Sequence, residues 1–391
     1  MSTRDSYYQY NQRQVQIDGE IYPVFSRPAL AARTDDLTSV LLLAEEMRVP
    51  SQAQVLVLHC GTGLIGAVAA QRSPAGRIAL LDSHHVAVEA ARRMLDALRL
   101  SNAEVLLSDC GQAVQGRSFD CVVSLLPKGR AVWEQTVIDA ATLLHPGGTF
   151  YLAGAKRSGI MSAARFVEQV FGMAETLGYK GGCRVLYALR GTDVDLPSSD
   201  YYVWRQASTQ VEGLRLEYIT KPGLFSWQQL DQGTRLLIEV LQKWPLQPDD
   251  RVLDVGCGTG LLTLVASKQA HKGHVMGVDV DCRAVEATQR TLALNRVSRA
   301  EAILSDCGEA IRTQFDAVVT NPPFHQEQAT TYAVAEQIMR EASRLQGRRG
   351  RLVLVANAFL SYRATMEAAF GNVTLLRQTN KFNVWHAVKE G

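Results

Sequence analysis

The chain has 391 residues, of which 47% are hydrophobic and 20% are charged. This composition excludes a disordered chain, and the length predicts two domains rather than one. The formal net charge of +2 gives no bulk electrostatic signal for nucleic acid, so any such contact must come from local basic clusters.

Seven cysteines, an odd number without Cys-x-x-Cys spacing, argue against both a disulfide framework and a zinc site. We therefore expect reduced thiols and no bound metal, as in a cytoplasmic protein. The first 16 residues are polar and lack the apolar core of a signal peptide, and no apolar run is long enough to span a bilayer. We expect a soluble protein with no membrane partner.

The predicted elements of the first half begin with a buried strand at residues 55–58, whose side chains are all apolar. The turn that follows, residues 61–66, has the formal spacing Gly-x-Gly-x-x-Gly, and Asp82 lies downstream of it. Taken alone, this pattern would predict a dinucleotide site for a nicotinamide cofactor.

An internal repeat argues against that interpretation. Matching stretches recur at an offset of 197 residues: 60–64 with 257–261, Asp82 with Asp279, and 107–111 with 304–308. The dinucleotide fingerprint fails in the second copy, because Leu261 stands where its third glycine is required. We therefore interpret neither loop as a nicotinamide site, and we predict that the chain carries one domain twice.

A polar stretch near residues 195–212 separates the copies, and we place the domains at residues 1–207 and 208–391. In the second copy, apolar runs typical of buried parallel strands alternate with segments of helical periodicity. The predicted strands are 252–255, 274–278, 317–319, 352–355 and 384–388, and the predicted helices are 261–268 and 283–294. This alternation predicts an α/β protein with two tandem, doubly wound, Rossmann-like domains whose ligand lies at the carboxyl ends of the strands.

The glycine loop of the second half, residues 254–260, permits a tight strand-to-helix turn and leaves room for a ligand against the backbone. In S-adenosylmethionine sites, a carboxylate at the position of Asp254 faces the methionine amino group. One at the position of Asp279 accepts hydrogen bonds from both ribose hydroxyls. Asp306, after the third strand, is placed to take the adenine amino group, with Cys307 beside the ring.

Each of these three carboxylates could merely cap a helix. Three of them at successive strand ends, beside a glycine loop, instead predict that the cofactor is S-adenosyl-L-methionine. The other predicted cofactor contacts in these segments are Gly256, Cys257, Gly258, Gly260 and Val280.

The chemistry is predicted from residues 321–324, Asn-Pro-Pro-Phe, which follow a strand. A purine exocyclic amine is a poor nucleophile because its lone pair is delocalised into the ring. If the Asn321 side-chain oxygen and the Pro322 carbonyl accept its two N–H bonds, the nitrogen can pyramidalise, so catalysis requires positioning and no strong base. Pro322 and Pro323 fix the turn, and Phe324 can stack on an extruded base.

The second half resembles the bacterial ribosomal RNA guanine-N2 methyltransferases of the small-subunit and large-subunit types, which carry two tandem class I methyltransferase domains. The resemblance rests on the glycine loop and on residues 221–226, 230–237, 321–325, 355–360 and 378–384. It implies that residues 225–234 fold over the cofactor, with Asp231 and Gly233 near its methionine end. It also implies that residues 321–324 hold guanine. The cofactor contacts it adds are Phe225, Asp231, Gly233, Thr234 and Asn321.

The first half has lost the residues predicted for chemistry. Val57 replaces Asp254, His59 replaces Gly256, and Leu-Leu-Pro-Lys at residues 125–128 replaces Asn-Pro-Pro-Phe. We predict a degenerate, noncatalytic domain, and the resemblance implies that it supports the catalytic domain and recognises RNA. Asp82 and Asp109 persist, which leaves nucleoside binding by this half open.

The leading hypothesis is methyl transfer to the N2 amine of a guanine in ribosomal RNA, with the RNA inside a ribosomal subunit. Resemblance alone favours the small subunit. The alternatives are a large-subunit guanine-N2 enzyme, an N6-adenine or protein-glutamine methyltransferase, and a noncatalytic RNA-binding assembly factor. The sequence leaves open the modified nucleotide, whether naked RNA or an assembled subunit is the substrate, and the oligomeric state, and a monomer is compatible with it.

Overall fold

The computed structural model describes residues 3–31, 37–192, 196–323, 329–360 and 362–390. Its internal contacts divide the chain into two compact units. The first unit is Gln9–Tyr202, and the second unit is Val203–Gly391 together with Met1–Tyr8.

The helices of the described residues are α1 (Thr3–Tyr8), α2 (Pro28–Ala31), α3 (Leu37–Glu46), α4 (Leu64–Arg72), α5 (His85–Ala97), α6 (Arg130–Leu143), α7 (Ile160–Phe171), α8 (Gln232–Lys243), α9 (Leu261–Gln269), α10 (Cys282–Leu294), α11 (Ala329–Arg344) and α12 (Arg363–Phe370). Within that part of the chain, none of them is long and apolar enough to cross a membrane.

The strands of the same residues are β1 (Asn11–Ile17), β2 (Glu20–Ser26), β3 (Gln54–Leu58), β4 (Arg77–Asp82), β5 (Ala103–Leu107), β6 (Phe119–Leu125), β7 (Leu144–Ala155), β8 (Glu175–Lys180), β9 (Cys183–Leu189), β10 (Arg205–Val211), β11 (Leu214–Thr220), β12 (Arg251–Val255), β13 (His274–Asp279), β14 (Ala300–Leu304), β15 (Phe315–Thr320), β16 (Gln346–Asn357), β17 (Gly371–Gln378) and β18 (Phe382–Lys389).

Each unit contains a seven-stranded sheet of the same topology. The strand order is β5-β4-β3-β6-β7-β9-β8 in the first unit and β14-β13-β12-β15-β16-β18-β17 in the second. The first five strands in each order are parallel. A hairpin completes each sheet, with β9 antiparallel to β7 in the first unit and β18 antiparallel to β16 in the second. The order reverses at β3 and at β12, where such folds bind ligands at the carboxyl ends. The prediction of two tandem, Rossmann-like α/β domains is confirmed.

A two-stranded antiparallel hairpin precedes each sheet in the chain, β1–β2 in one case and β10–β11 in the other. Asp18 and Gly19 in the first turn, and Glu212 and Gly213 in the second, all have positive φ, as a two-residue hairpin turn requires. The repeat therefore extends upstream of the matches found in the sequence. The domain boundary predicted between residues 207 and 208 falls inside β10, whereas the contacts place all of β10–β11 in the second unit.

The central strands are buried on both faces. In β3, Val55 and Val57 belong to one core cluster while Leu56 and Leu58 belong to another, because alternate side chains of a strand point to opposite faces. Helices cover both faces of such a sheet, which explains why the strand runs in the sequence are apolar throughout and do not alternate.

Candidate cofactor and substrate site

The glycine loop between β12 and α9 has a left-handed backbone at Gly256, Gly258 and Gly260, with φ of 80°, 56° and 80°. The Gly256 and Cys257 amides donate to the Val278 carbonyl at 2.8 and 3.0 Å, which ties the loop to β13. A Cβ at Gly256 would meet no atom within 4 Å, and a Cβ at Gly258 would meet only the Gly256 carbonyl, at 4.0 Å. The loop backbone is therefore open on the side that a bound nucleoside would need.

Asp279 ends β13 beside this loop. Its Oδ2 accepts from the Gly258 amide at 3.2 Å, and its Oδ1 accepts from the Asp281 amide at 3.0 Å. Desolvation, followed by repulsion from Asp281, raises the pKa of Asp279 to about 6. The carboxylate thus stabilises the loop conformation and lies at the open side of the loop. Val280 follows it in the chain.

Asp254 is fully buried in β12. Its Oδ2 accepts from the Thr263 hydroxyl of α9 at 2.6 Å, and its Oδ1 has no hydrogen-bond partner among the described residues. Burial raises the pKa of Asp254 to about 7, although the Thr263 hydrogen bond lowers it and Asp279 raises it further. The side chain is a buried acid that titrates close to neutral pH.

Asp306 and Cys307 follow β14, and the Ser305 amide donates to the Asp279 carbonyl at 2.9 Å. Both side chains are buried, and both contact Tyr7 of α1. The Tyr7 hydroxyl donates to Asp306 Oδ1 at 3.2 Å and lies 3.6 Å from Cys307 Sγ. The Tyr8 hydroxyl donates to the Asp306 carbonyl at 3.3 Å. The third predicted carboxylate is therefore covered by residues from a distant part of the sequence.

Asn321 follows β15, and its amide has a defined orientation. Its Nδ2 donates to Asp231 Oδ2 at 3.0 Å and to the Thr234 hydroxyl at 2.8 Å. Asp231 also caps α8, because the same Oδ2 accepts from the Thr234 amide at 2.9 Å. Both N–H groups of Nδ2 are therefore hydrogen-bonded, while the buried Oδ1 has no partner among the described residues. Residues 231–234 and Asn321, which lie far apart in the sequence, form one cluster.

Gly233 lies against this cluster at a position where a side chain would crowd its neighbours. A Cβ there would lie 3.0 Å from Asp231 Oδ2 and 3.4 Å from Asn321 Oδ1. Of the other predicted residues, Pro322 is buried and Pro323 is exposed, while Phe324 lies outside the described residues. Phe225 is 69% exposed.

The first unit keeps part of this arrangement. Asp82 accepts from the Gly61 and His84 amides at 3.1 and 2.9 Å, as Asp279 does in the second unit. In place of Gly256, however, His59 adopts a φ of 53°, and its ring nitrogen lies 2.8 Å from the Thr136 hydroxyl of α6. The imidazole thus stands at the loop position that is open in the second unit.

The sequence analysis missed Tyr7 and Tyr8. Their contacts with residues near position 306 span about three hundred residues of chain, and no local pattern predicts such a contact. A signal was nevertheless present, because a second Tyr-Tyr pair at residues 201–202 precedes the second hairpin at an offset of 194 residues.

A family model described as "Methyltransferase small domain" matches residues 23–187 and 215–386, one match in each half. The chain is 39% identical over 272 residues to "Ribosomal RNA small subunit methyltransferase C" of Chromohalobacter salexigens, covering 67% of this chain and 76% of that protein. The protein of the same name from Stutzerimonas stutzeri is 34% identical over 271 residues, covering 69% and 80%.

Among solved structures, the chain is similar to the T. thermophilus 16S rRNA N2 G1207 methyltransferase (RsmC) in complex with AdoMet and guanosine. The TM-score is 0.84 at 28% identity, and the alignment covers 100% of both chains. The alignment therefore includes both units of this chain.

Proposed function

Because the chain belongs to the ribosomal RNA small subunit methyltransferase C family, we propose that it transfers a methyl group from S-adenosylmethionine to the N2 amine of a guanine in 16S ribosomal RNA. The solved relative, aligned over 100% of both chains, is a 16S guanine-N2 enzyme in complex with AdoMet and guanosine. This relationship favours guanine over adenine or a glutamine side chain, and the small subunit over the large one.

The second unit fits the cofactor. Its glycine loop is open beside Gly256 and Gly258, and carboxylates lie at the ends of the next two strands. When bound, S-adenosylmethionine supplies an electrophilic methyl group on a sulfonium sulfur. We assign Asp279 to the ribose hydroxyls, Asp306 to the adenine amine, and Asp254 to the methionine end. The supporting contacts that we assign are Phe225, Asp231, Gly233, Cys257, Val280 and Cys307, whereas Thr234 hydrogen-bonds Asn321 and Gly260 packs against α10.

The oriented Asn321 amide is the observation that carries the proposal. Two acceptors hold its Nδ2, so its Oδ1 is directed away from them as an acceptor. We propose that this oxygen and the Pro322 carbonyl accept the two N–H bonds of the guanine amine. The nitrogen lone pair is then freed from the ring and aimed at the methyl group, and proximity supplies the rate enhancement.

We propose that the substrate is RNA within a ribosomal subunit in the cytoplasm, and that the first unit contributes to RNA binding. Lys128, Lys156 and Arg157 support this role, because they are exposed and follow β6 and β7 at the carboxyl edge of the first sheet.

The decisive experiment supplies labelled S-adenosylmethionine with unmodified small and large ribosomal subunits and with their naked RNAs, followed by digestion and nucleoside identification. We expect N2-methylguanosine from the small subunit or its RNA. A methylated adenine, or label only in large-subunit RNA, would contradict the substrate assignment. Label in protein alone would contradict the RNA assignment, and no label anywhere would favour a noncatalytic assembly role.

Asn321→Ala should abolish this transfer, because the variant lacks the acceptor that orients the amine. Binding of S-adenosylhomocysteine, measured by calorimetry, should change by no more than about twofold, since Asn321 is assigned mainly to the substrate. A parallel loss of cofactor binding and activity would contradict the assigned role.

A further inference from the structure

The two Tyr-Tyr pairs make the same contacts in the two units. In the second unit, Tyr7 donates to Asp306 Oδ1 and Tyr8 to the Asp306 carbonyl, at 3.2 and 3.3 Å. In the first unit, the Tyr201 hydroxyl donates to Asp109 Oδ1 at 2.8 Å, and the Tyr202 hydroxyl lies 3.5 Å from the Asp109 carbonyl. The contact between a Tyr-Tyr pair and the aspartate therefore recurs in both copies of the domain and is part of the fold.

The helices beneath the pairs are matched as well. In α11, Gln337 Nε2 donates to Glu341 at 3.1 Å, and both side chains are fully buried. In α6, Gln135 Nε2 donates to Asp139 at 2.7 Å, and these side chains are also buried. The second tyrosine of each pair contacts this buried amide-carboxylate pair, since Tyr202 donates to Asp139 Oδ2 at 2.5 Å and Tyr8 hydrogen-bonds Gln337.

We propose that Tyr7 is a positioning residue for the cofactor's purine, and that it acts by orienting the Asp306 carboxylate that receives the adenine amine. This inference rests on the proposed function. Tyr7 and Tyr8 precede residue 23, where the family match begins, but they belong to the second unit, so the purine end of the site is completed by a segment outside the matched residues.

The physical basis is the direction of the Tyr7 hydrogen bond. Burial raises the pKa of Tyr7, and Cys307 and Asp306 raise it further, so the hydroxyl stays protonated and donates to the carboxylate. A hydrogen bond of this kind stabilises the charged carboxylate and restricts its rotation. An oriented acceptor discriminates strongly between a purine that presents an N–H donor there and one that presents an oxygen.

Two ligands test this proposal by calorimetry without any RNA. S-adenosylhomocysteine carries the N6 amine, and S-inosylhomocysteine carries an oxygen in its place. We expect Tyr7→Phe to weaken the binding of S-adenosylhomocysteine about tenfold and that of S-inosylhomocysteine by less than about twofold. The ratio of the two affinities, which measures the preference for the amine, should therefore fall about fivefold or more. Tyr8→Phe loses the hydrogen bonds of its hydroxyl to the Asp306 carbonyl and to Gln337, but none to the Asp306 carboxylate, so it should preserve the preference.

Tyr201→Phe is the matched control, because it removes the equivalent hydrogen bond to Asp109 and should leave both affinities unchanged. Equal weakening of both ligands by Tyr7→Phe, or the same effect from Tyr201→Phe, would overturn the proposal in favour of a purely structural role. If the unaltered protein binds neither ligand, the proposed function itself is contradicted. If it binds both ligands and only the effect of Tyr7→Phe is absent, the Tyr7 proposal alone is contradicted.

Discussion

The Asn321 amide illustrates how single residues in this protein act through their neighbours. The family resemblance implies that Thr234 contacts the cofactor, whereas in the structure its hydroxyl accepts from Asn321 at 2.8 Å. An asparagine amide can rotate by half a turn and exchange its oxygen and nitrogen. The two acceptors on its Nδ2 oppose that rotation. Thr234 is therefore well placed to orient the group that receives the substrate amine.

Thr234→Val should lower kcat about tenfold, because one hydrogen bond that orients the amide is lost while the volume is kept. Affinity for S-adenosylhomocysteine should stay within about twofold of the unaltered value. Thr234→Ser, which keeps the hydroxyl, should restore most of the activity. A variant whose only defect is cofactor affinity would show that Thr234 is a cofactor contact instead.

The buried acid Asp254 predicts a pH dependence of stability. Its pKa is raised to about 7, so in the folded protein it binds a proton that the unfolded chain releases near pH 4. The stabilisation is present at low pH and is lost as the pH rises through 7. Asp279, with a pKa of about 6, acts in the same direction.

Between pH 5.5 and pH 8, the Asp254 contribution to the free energy of unfolding should fall by about 2 kcal/mol. Asp254→Asn keeps the shape and cannot titrate, so thermal unfolding of this variant should vary less with pH than that of the unaltered protein. Identical pH profiles for the two proteins would contradict the raised pKa.

At the scale of elements, the glycine loop performs two separable tasks. Gly258 has an open side, whereas a Cβ at Gly260 would lie 2.9 Å from the Thr288 backbone in α10. A Cβ at Gly63 in the first unit would likewise lie 2.8 Å from the Ala91 Cα of α5. The last glycine of each loop thus permits close approach of two helices, a structural requirement that persists in the unit that lost the predicted chemistry.

The two glycines should therefore respond differently to substitution. Gly260→Ala should destabilise the second unit by about 2–4 kcal/mol, because it adds a backbone clash to an unfavourable φ. Gly258→Ala should cost only about 1 kcal/mol but should weaken S-adenosylhomocysteine binding, since its methyl group would enter the open side of the loop. Thermal unfolding and calorimetry separate the two effects, and matching results for both variants would refute the division of tasks.

At the scale of the whole molecule, duplication has produced two units with one topology and unequal sites. The first unit keeps its loop, Asp82 and Asp109, but His59 lies where the second unit is open. Its core and its Tyr-Tyr pair are intact, so its fold is maintained without the Asn-Pro-Pro-Phe turn. This pattern fits a domain retained for support and RNA binding.

Calorimetry should accordingly find one S-adenosylhomocysteine per chain, because the first unit carries the His59 side chain where the second unit has Gly256. Asp279→Asn should abolish binding at micromolar ligand, while Asp82→Asn, the equivalent change in the first unit, should leave it unchanged. Two equivalent sites per chain would contradict the assignment of the first unit as degenerate.

Local patterns in the sequence were sufficient for the fold class, the duplication, and most of the second-half strands and helices. For example, the predicted helix 283–294 is observed as Cys282–Leu294, and the predicted strand 317–319 as Phe315–Thr320. These features depend on side-chain periodicity and on glycine conformation, which act over a few residues. The glycine loop and the carboxylates at strand ends could be predicted for the same reason.

Tertiary structure decided which distant residues meet. It placed Thr263 against Asp254, Thr234 against Asn321, and Tyr7 against Asp306, and it assigned Met1–Tyr8 to the unit of residues 203–391. Such contacts depend on the path of the whole chain and on the burial of polar groups that must find partners, and neither is encoded in local periodicity. The orientation of the Asn321 amide, on which the proposed chemistry depends, belongs to this second class.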